Sequence, residues 1–255
     1  MSECAVDDAV IGDDPSVLAL EKLVAKLAGK EDAVFVASGT MSNLIAVMSH
    51  CDVRGSEAIV GDSCHIHIHE QGGVATIGGV HCRVIPTSDD GTLPLHLIEN
   101  AVRDTTNLHY PISRLICVEN THNVKGGKAL PMQWLKDCYT LAQQHNLKVH
   151  TDGARAWHAA TALHLPLADI LAYTDTASLC LSKGLGAPAG SILVGPRDFI
   201  QKARRVRKAL GGGMRQMGVL GACGIVAVRD TYLSGALAKD HEKTQVMVGC
   251  NDGIL

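Results

Sequence analysis

Three short polar stretches of the sequence carry side chains of the kind that bind and activate small molecules. The first, Ser38-Gly39-Thr40, is a run of small residues in front of an apolar segment. Such a turn presents backbone N–H groups and two hydroxyls at the positive end of a helix dipole, where a phosphate binds well. An ordinary turn in which Ser or Thr caps the helix explains the tripeptide alone equally simply.

The second stretch is KVHTDGAR, in which Asp152 follows an apolar segment and Arg155 comes shortly after it. A carboxylate at this place can hold a proton on a ring nitrogen, and the arginine adds a fixed charge nearby. Asp-Gly-Ala-Arg also resembles a helix start, so a capping role for Asp152 is an equal alternative for this stretch by itself.

The third stretch is SLCLSKGLGAPAGS, where Lys183 stands between an apolar segment and a loop of small residues. Most lysines are solvated, but this one must leave a largely buried neighbourhood. Desolvation favours the neutral amine, which is the form that attacks carbonyl groups. A lysine for a Schiff base, an aspartate for a pyridinium nitrogen and a loop for a phosphate together predict an enzyme that uses pyridoxal 5′-phosphate (PLP).

The histidines of HIHIHEQGG raise a separate question. On a strand His65, His67 and His69 would share one face, whereas on a helix only His65 and His69 would. The flanking GDSC and EQGGV favour a helix start with Asp62 or Ser63 as its cap. We therefore expect His65 to face a cofactor, take His69 as a candidate for the same pocket, and interpret His67 as a bystander.

A metal-dependent hydrolase is the rival that this stretch allows, with His122 or Asp152 completing a zinc site. It predicts stoichiometric metal and an activity that chelators abolish. Because it leaves Ser38–Thr40 and Lys183 without a role, we predict no metal.

Composition and charge exclude several classes of partner. The 255 residues carry a formal net charge of −3, which does not favour nucleic acid or an anionic membrane surface. Apolar residues never form an uninterrupted run of membrane-spanning length, and MSECAVDDAV lacks the pattern of an export signal. The nine cysteines are scattered without a CxxC pair, as in proteins of a reducing compartment. We expect a soluble, cytoplasmic protein.

Strand-like and helical segments alternate along the chain and must position these residues. A helix is predicted to begin at Asp14-Pro15 and to end at Gly29. The strand-like segments are AVFVA, EAIVG, CRVIP, RLICVE, LKVHTD, TASLCLS and SILVG. Near-continuous apolar strands separated by helices predict an α/β fold, with a mostly parallel sheet covered by helices on both faces. Polar clusters follow four of these strands, and ligands bind at the carboxyl ends in such sheets.

Six segments resemble the successive blocks of the L-threonine aldolase family, in family order. They are VFVASGTMSNLIAV, HIHIHEQGG, VENTHNVKGGKALP, VHTDGARAWHA, LSKGLGAPAGSILVG and KALGGGMRQMG. The resemblance implies the aspartate-aminotransferase-like (fold type I) PLP large domain. It also implies a carbon–carbon lyase that cleaves L-threonine or L-allo-threonine to glycine and acetaldehyde by a retro-aldol step. GGGMRQ argues against an aminotransferase or a β-eliminating activity.

The resemblance further implies roles for individual residues. Lys183 would form the Schiff base, Asp152 would pair with the pyridine nitrogen, and His65 would stack on the cofactor ring. His122, in ENTHN, would lie near the substrate hydroxyl, and the base is His65, His122 or a water molecule. The other implied cofactor-binding residues are Ser38, Gly39 and Thr40 at the phosphate, Arg155 near the cofactor and substrate carboxylate, and Lys208 and Arg215, which would reach the phosphate region of a neighbouring subunit. Arg204 and Arg205 are interpreted as a solvated helix face.

The resemblance is incomplete at both ends of the sequence. Residues 1–14 would be the remnant of an N-terminal segment, with Ile11 in the place of a family tyrosine. Residues 15–228 would form the PLP-binding large domain, and 229–255 would be a stub in place of a small domain whose arginine grips the substrate carboxylate. The family implies a homo-oligomer, a dimer or a tetramer of dimers, with active sites at the interfaces. A catalytically impaired member that acts as a PLP-binding or regulatory subunit is the alternative.

Overall fold

A computed structural model of the chain describes residues 3–251 and arranges them around one seven-stranded sheet. In space the strands follow the order β1-β7-β6-β5-β4-β2-β3. Neighbours from β6 to β3 are parallel, and β7 runs antiparallel to both β1 and β6. The strands are β1 (Asp32–Val36), β2 (Ser56–Gly61), β3 (His81–Ile85), β4 (Ile112–Glu119), β5 (Lys148–Asp152), β6 (Thr176–Cys180) and β7 (Ser191–Gly195). The prediction of a mostly parallel α/β sheet is confirmed.

Helices connect the strands and lie on both faces of this sheet. They are α1 (Pro15–Ala28), α2 (Gly39–His50), α3 (His65–Ile68), α4 (Gly73–Thr76), α5 (Leu95–Ala101), α6 (Met132–Gln144), α7 (Ala156–Leu163), α8 (Leu167–Ile170), α9 (Arg197–Ala209), α10 (Gly218–Ala227) and α11 (Ala236–Asn251), with a π-helical segment over Val228–Leu233. The predicted ends of α1 are confirmed: the Asp14 carboxylate accepts the N–H groups of Ser16 and Val17, and Gly29 ends the helix in the left-handed conformation.

Alternate residues of the strands enter different hydrophobic clusters. Phe35 of β1 packs with α1, α7 and α8, whereas its neighbour Val34 packs with α2 and α9. Ile116 of β4 packs with α5 and α6, whereas Leu115 packs with residues of α2, α3 and α4. Because both sides of these strands are buried, their sequences are almost continuously apolar rather than alternating.

The direction of the strands brings the polar clusters to one edge of the sheet. Since β7 is antiparallel to both neighbours, β1 runs in the same direction as β6 and the parallel strands. The carboxyl ends of β1, β4, β5 and β6 therefore lie on the same side, where ligands bind in open α/β sheets. Ser38, Asp152 and Lys183 all follow such ends.

Two further predictions concern cysteines and membranes. Seven of the cysteines form no disulfide bond: Cys51, Cys64, Cys82, Cys117, Cys138, Cys180 and Cys223. No helix within residues 3–251 combines the length and the apolar character needed to cross a bilayer. The domain boundaries at residues 14 and 228 stay predictions.

Candidate active site

A cavity of about 270 Å³ opens at the carboxyl ends of β1, β5 and β6. The predicted site residues that line it are Ser38, Gly39, Thr40, His65, Asp152 and Lys183. They come from positions far apart in the sequence, and the sheet topology brings them together. Asn43, Cys180 and Ser182 contribute further polar atoms to the wall.

The start of α2 forms one wall of this cavity. The Ser38 hydroxyl accepts the N–H of Met41 at 3.2 Å, so the capping interpretation is correct for that oxygen. The first N–H groups of a helix lack intrahelical acceptors, so Gly39 and Thr40 have backbone donors to offer an anion. A Cβ at Gly39 would lie 2.8 Å from the Cys180 sulfur, which explains the glycine in the turn. Capping and phosphate binding are therefore compatible here.

Asp152 ends β5 and is almost completely buried. Its Oδ1 accepts the Ala154 N–H at 3.1 Å, and its Oδ2 accepts from the Asn43 amide at 2.9 Å. Burial, with Glu119 and Glu70 close by, raises the pKa of Asp152 to about 6. A protonated ring nitrogen in the cavity would supply the positive charge that such a carboxylate favours.

His65 is the first residue of α3, and its side chain is held by Glu70. His65 Nδ1 lies 3.0 Å from Glu70 Oε1, and this hydrogen bond is the main cause that raises the pKa of His65. The backbone N–H of His65 donates to Glu119 Oε2 at 2.7 Å. Glu70 therefore holds the ring of His65 and Glu119 holds its backbone, and the residue lines the cavity.

The histidine stretch is helical, as predicted, but its cap was predicted wrongly. Cys64 takes the N-cap position of α3 without a side-chain cap, and the Asp62 carboxylate accepts the Thr87 N–H instead. The His69 ring lies 5.4 Å from that of His65 but is exposed and does not line the cavity. A cage of three alternating histidines is therefore not formed.

A smaller cluster has the composition of a metal site. Ligand atoms of His65, Glu70 and Asp152 lie within 4.8 Å of one another. The Asn43 amide, however, already donates to Glu70 Oε1 at 2.8 Å and to Asp152 Oδ2. A cation on these oxygens would have to displace the amide, so the cluster fits the hydrolase interpretation poorly.

His122 is not one of the residues that line the cavity. It is 2% exposed, and neither of its ring nitrogens has a hydrogen-bond partner among residues 3–251. Burial lowers the pKa of His122. Glu119 connects this loop to the cavity, because its carboxylate accepts both the His65 N–H and the Asn123 N–H.

The other predicted cofactor residues lie outside this cavity. Arg155 is at the N-cap of α7, and its charge acts on Cys180, a wall residue. Lys208 lines a separate cavity of about 370 Å³ next to residues 9–12. Arg215 forms an ion pair with Asp8. Within a single chain Lys208 and Arg215 do not meet Lys183, and their reach into a neighbouring subunit stays a prediction.

The interpretation of Arg204 as a solvated residue is wrong. Its guanidinium pairs with buried Glu21 at 2.7 Å and donates to the Ala33 carbonyl at 2.8 Å, joining α9 to α1 and β1. Arg205 is exposed, as expected. The two arginines are adjacent in the sequence, and only tertiary contacts distinguish them.

Three acidic or amide residues that bond to the site were not predicted: Asn43, Glu70 and Glu119. Asn43 lies one helical turn after Gly39 and therefore on the same side of α2. Glu70 belongs to the EQGG segment that follows His65. Those spacings were signals in the sequence, but the pairing of Asn43 with Asp152 joins residues 109 positions apart.

The donor set of the cavity fits PLP. A helix start cleared of side chains by Gly39 suits a phosphate, a buried carboxylate suits a ring nitrogen, and Lys183 supplies an amine in the same cavity. His65 offers a flat ring in the cavity wall.

Comparisons with known proteins show which family the chain resembles. A family model described as beta-eliminating lyase matches residues 1–251. Low-specificity L-threonine aldolase 1 of Arabidopsis thaliana is 50% identical over 97% of this chain and 69% of its own length. The low specificity L-threonine aldolase of Escherichia coli K12 is 43% identical, over 97% of this chain and 72% of its own. The solved threonine aldolase of Leishmania major superimposes with a TM-score of 0.83 at 27% identity, covering 98% of this chain and 71% of the other.

Proposed function

This chain belongs to the beta-eliminating lyase family, among its threonine aldolases, and we propose that it is a PLP-dependent L-threonine aldolase. The proposed reaction breaks the Cα–Cβ bond of L-threonine or L-allo-threonine and releases glycine and acetaldehyde. The observation that carries the proposal is the meeting of Lys183, Asp152 and the Ser38–Thr40 turn in one cavity. When bound, PLP would supply a conjugated ring that accepts the electron pair of the broken bond.

The chain's own residues would bind and orient the reactants. The N–H groups at the start of α2 would hold the phosphate, and Lys183 would be the amine that attaches the cofactor. Asp152 would keep a proton on the ring nitrogen, because a buried carboxylate strongly favours a positive neighbour. His65 would cover one face of the ring and help to exclude water.

The β-hydroxyl proton needs a base, and two histidines are candidates. His65 is in the cavity wall, with Nδ1 held by Glu70. The ring nitrogens of His122 have no hydrogen-bond partner among residues 3–251, and burial lowers the pKa of His122, so the ring is neutral at neutral pH. Its position in the cavity wall favours His65 as the base, acting directly or through water. The lowered pKa of His122 favours His122 as the base instead.

Lys208 and Arg215 are proposed to act across subunits. Both are cationic, and neither lines the cavity of its own chain. In a homo-oligomer with interface sites they would add positive charge near the phosphate of the neighbouring chain. This part of the proposal predicts that Lys208→Ala weakens PLP binding only in the assembled oligomer.

The test is a visible spectrum of the full chain with PLP, combined with an assay of acetaldehyde released from L-threonine and L-allo-threonine. We expect a PLP-dependent absorbance band and acetaldehyde release, both lost in Lys183→Ala and both kept in Lys239→Ala, a surface control. A band without acetaldehyde or glycine would favour the PLP-binding, catalytically impaired subunit. A chain that gains no band with PLP would contradict the proposal altogether.

A further inference from the structure

Asn43 lies at the junction of a polar chain that runs between α2 and the strands β5 and β6. Its Nδ2 donates to Glu70 Oε1 at 2.8 Å and to Asp152 Oδ2 at 2.9 Å. Its Oδ1 lies 3.2 Å from His150 Nε2, and His150 Nδ1 lies 2.9 Å from the Thr176 hydroxyl. The same hydroxyl lies 2.9 Å from His50 Nε2. The chain therefore runs from the cavity to the far end of α2.

The two carboxylates determine the direction of every hydrogen bond in this chain. Ionised Glu70 and Asp152 only accept hydrogen bonds, so the amide nitrogen of Asn43 must face them and its oxygen must face His150. His150 Nε2 then carries the hydrogen, and Nδ1 of the neutral ring accepts from Thr176. The single hydroxyl hydrogen of Thr176 is thereby used, so the hydroxyl accepts from His50 Nε2–H.

The burial of the two histidines agrees with this direction. Burial lowers the pKa of both His50 and His150 to about 3, so each ring is neutral and has one N–H. A neutral ring with its hydrogen on Nε2 has no hydrogen on Nδ1. All dipoles of the chain therefore point their positive ends towards Glu70 and Asp152.

We propose that Asn43 is a positioning residue that holds Asp152 towards the cofactor's ring nitrogen and Glu70 towards His65, with His150 fixing the orientation of its amide. This inference rests on the proposed function, since it assigns Asn43 a role in PLP binding. Asp152, Glu70 and Glu119 are three acids in one buried region. The Asn43 amide is the neutral group that separates two of them while bonding to both.

The direction of the hydrogen bonds in this chain can be tested in the unsubstituted protein. Proton–nitrogen correlation spectra of the full-length protein, recorded with and without PLP, report which ring nitrogen of each histidine carries hydrogen. The signal of His150 is assigned by its loss in His150→Gln. We expect hydrogen on Nε2 of His150 in both samples, and hydrogen on Nδ1 would overturn the inference.

The positioning role is tested by PLP affinity in three variants. Asn43→Ala removes the amide, and we expect the PLP dissociation constant to rise roughly tenfold or more, the effect of losing a hydrogen bond to a buried charge. Asn43→Asp keeps the shape but sets a third carboxylate against Glu70 and Asp152, so it should bind PLP still more weakly. Ser42→Ala is the matched control, because Ser42 is buried on the same helix and its hydroxyl has no partner among residues 3–251.

The order of PLP affinities among the variants distinguishes a positioning role for Asn43 from a role in which it only fills space. If Asn43 only fills space, the isosteric Asn43→Asp is the milder change, and that order overturns the inference. An Asn43→Ala variant whose PLP affinity is within twofold of that of the Ser42→Ala control would also overturn the inference. Folding of each variant is checked by circular dichroism, and the histidine spectra of the unsubstituted chain decide the case if Asn43→Ala does not fold. A parent chain that binds no PLP contradicts the proposed function instead.

Discussion

Two buried carboxylates have contrasting surroundings: one lies near the amino ends of the parallel strands and the other at their carboxyl ends. Glu57, near the start of β2, is fully buried, hydrogen-bonds with His81 at 2.9 Å and accepts from the Ser113 hydroxyl at 3.2 Å. It also forms an ion pair with Arg103, whose Nε lies 3.5 Å from its Oε1. Asp152, at the end of β5, is bonded by the Asn43 amide and by the backbone N–H of Ala154. The first carboxylate has a guanidinium beside it, whereas the second has two further acids nearby.

The difference in surroundings indicates a structural role for Glu57 and a functional role for Asp152. A buried charge that only stabilises the fold needs a counter-ion from the chain itself, as Glu57 has in Arg103. A buried charge without such a counter-ion is a mark of functional sites, where a ligand completes the balance. Asp152, with a pKa raised to about 6, has this second environment.

The largest effect is expected for Asp152→Asn, which removes the charge but keeps the shape. Threonine cleavage should fall by roughly 10²–10³-fold, the loss typical of one preorganised electrostatic group. The thermal midpoint should stay the same or rise, because the variant no longer buries a poorly balanced charge. Acetaldehyde release and calorimetry measure the two effects. An Asp152→Asn variant as active as the parent chain would contradict the functional role of this carboxylate.

Glu57→Gln should have the opposite pattern. It leaves Arg103 beside a neutral amide, and removal of one partner from a buried ion pair destabilises a fold by about 3 kcal/mol or more. Denaturant unfolding should show this loss, while activity per folded molecule stays unchanged. Glu99→Gln, with a side chain 61% exposed, is the control and should unfold like the parent chain. Unaltered stability of Glu57→Gln would contradict the structural role.

Gly39→Ala tests the fit of the cavity wall. The added Cβ would meet the Cys180 sulfur at 2.8 Å, so the turn must move away from β6. We expect PLP affinity to fall by roughly tenfold, of the order of one hydrogen bond to a charged group. The double variant Gly39→Ala/Cys180→Ala should recover much of this loss in fluorescence titrations. Equal affinity of the single variant and the parent chain would argue against phosphate binding at this turn.

Glu70→Gln is expected to have the smallest effect, and that effect is measured as a change in the pKa of His65. Its hydrogen bond is the main cause that raises the pKa of His65, so an NMR titration should show a lower His65 pKa in the variant. A raised pKa stabilises the fold at low pH, and this contribution is lost as the pH rises through the folded-state pKa. The stability difference between parent and variant should therefore be larger at about pH 5 than at about pH 9. An unshifted His65 would show that the pair is not formed.

The sequence predicted this molecule best where local patterns decide the structure. The Asp14-Pro15 start of α1, the continuous apolar strands and the placement of Ser38, Asp152 and Lys183 at strand ends are confirmed. These features follow from capping chemistry, periodicity and the rule for carboxyl ends in parallel sheets. The fold class follows from the same patterns, whereas the family was predicted correctly from the resemblance of six segments to the blocks of the threonine aldolases.

Long-range partners could not be predicted in this way. The cap of α3 is Cys64 rather than Asp62, because β3 brings the Thr87 N–H to the Asp62 carboxylate. Arg204 is held by Glu21, 183 positions away. The role of Asn43 likewise depends on β5 passing beside α2. Each of these contacts joins elements whose closeness only the folded sheet determines.

The central proposal is that the cavity binds PLP through Lys183. Its most direct test is reduction of the PLP-treated full chain with borohydride, followed by proteolysis and mass spectrometry of the peptides. We predict a pyridoxyl adduct on the peptide that contains Lys183, and none on that peptide in Lys183→Ala. No adduct, or an adduct mainly on surface lysines such as Lys239, would contradict the claim.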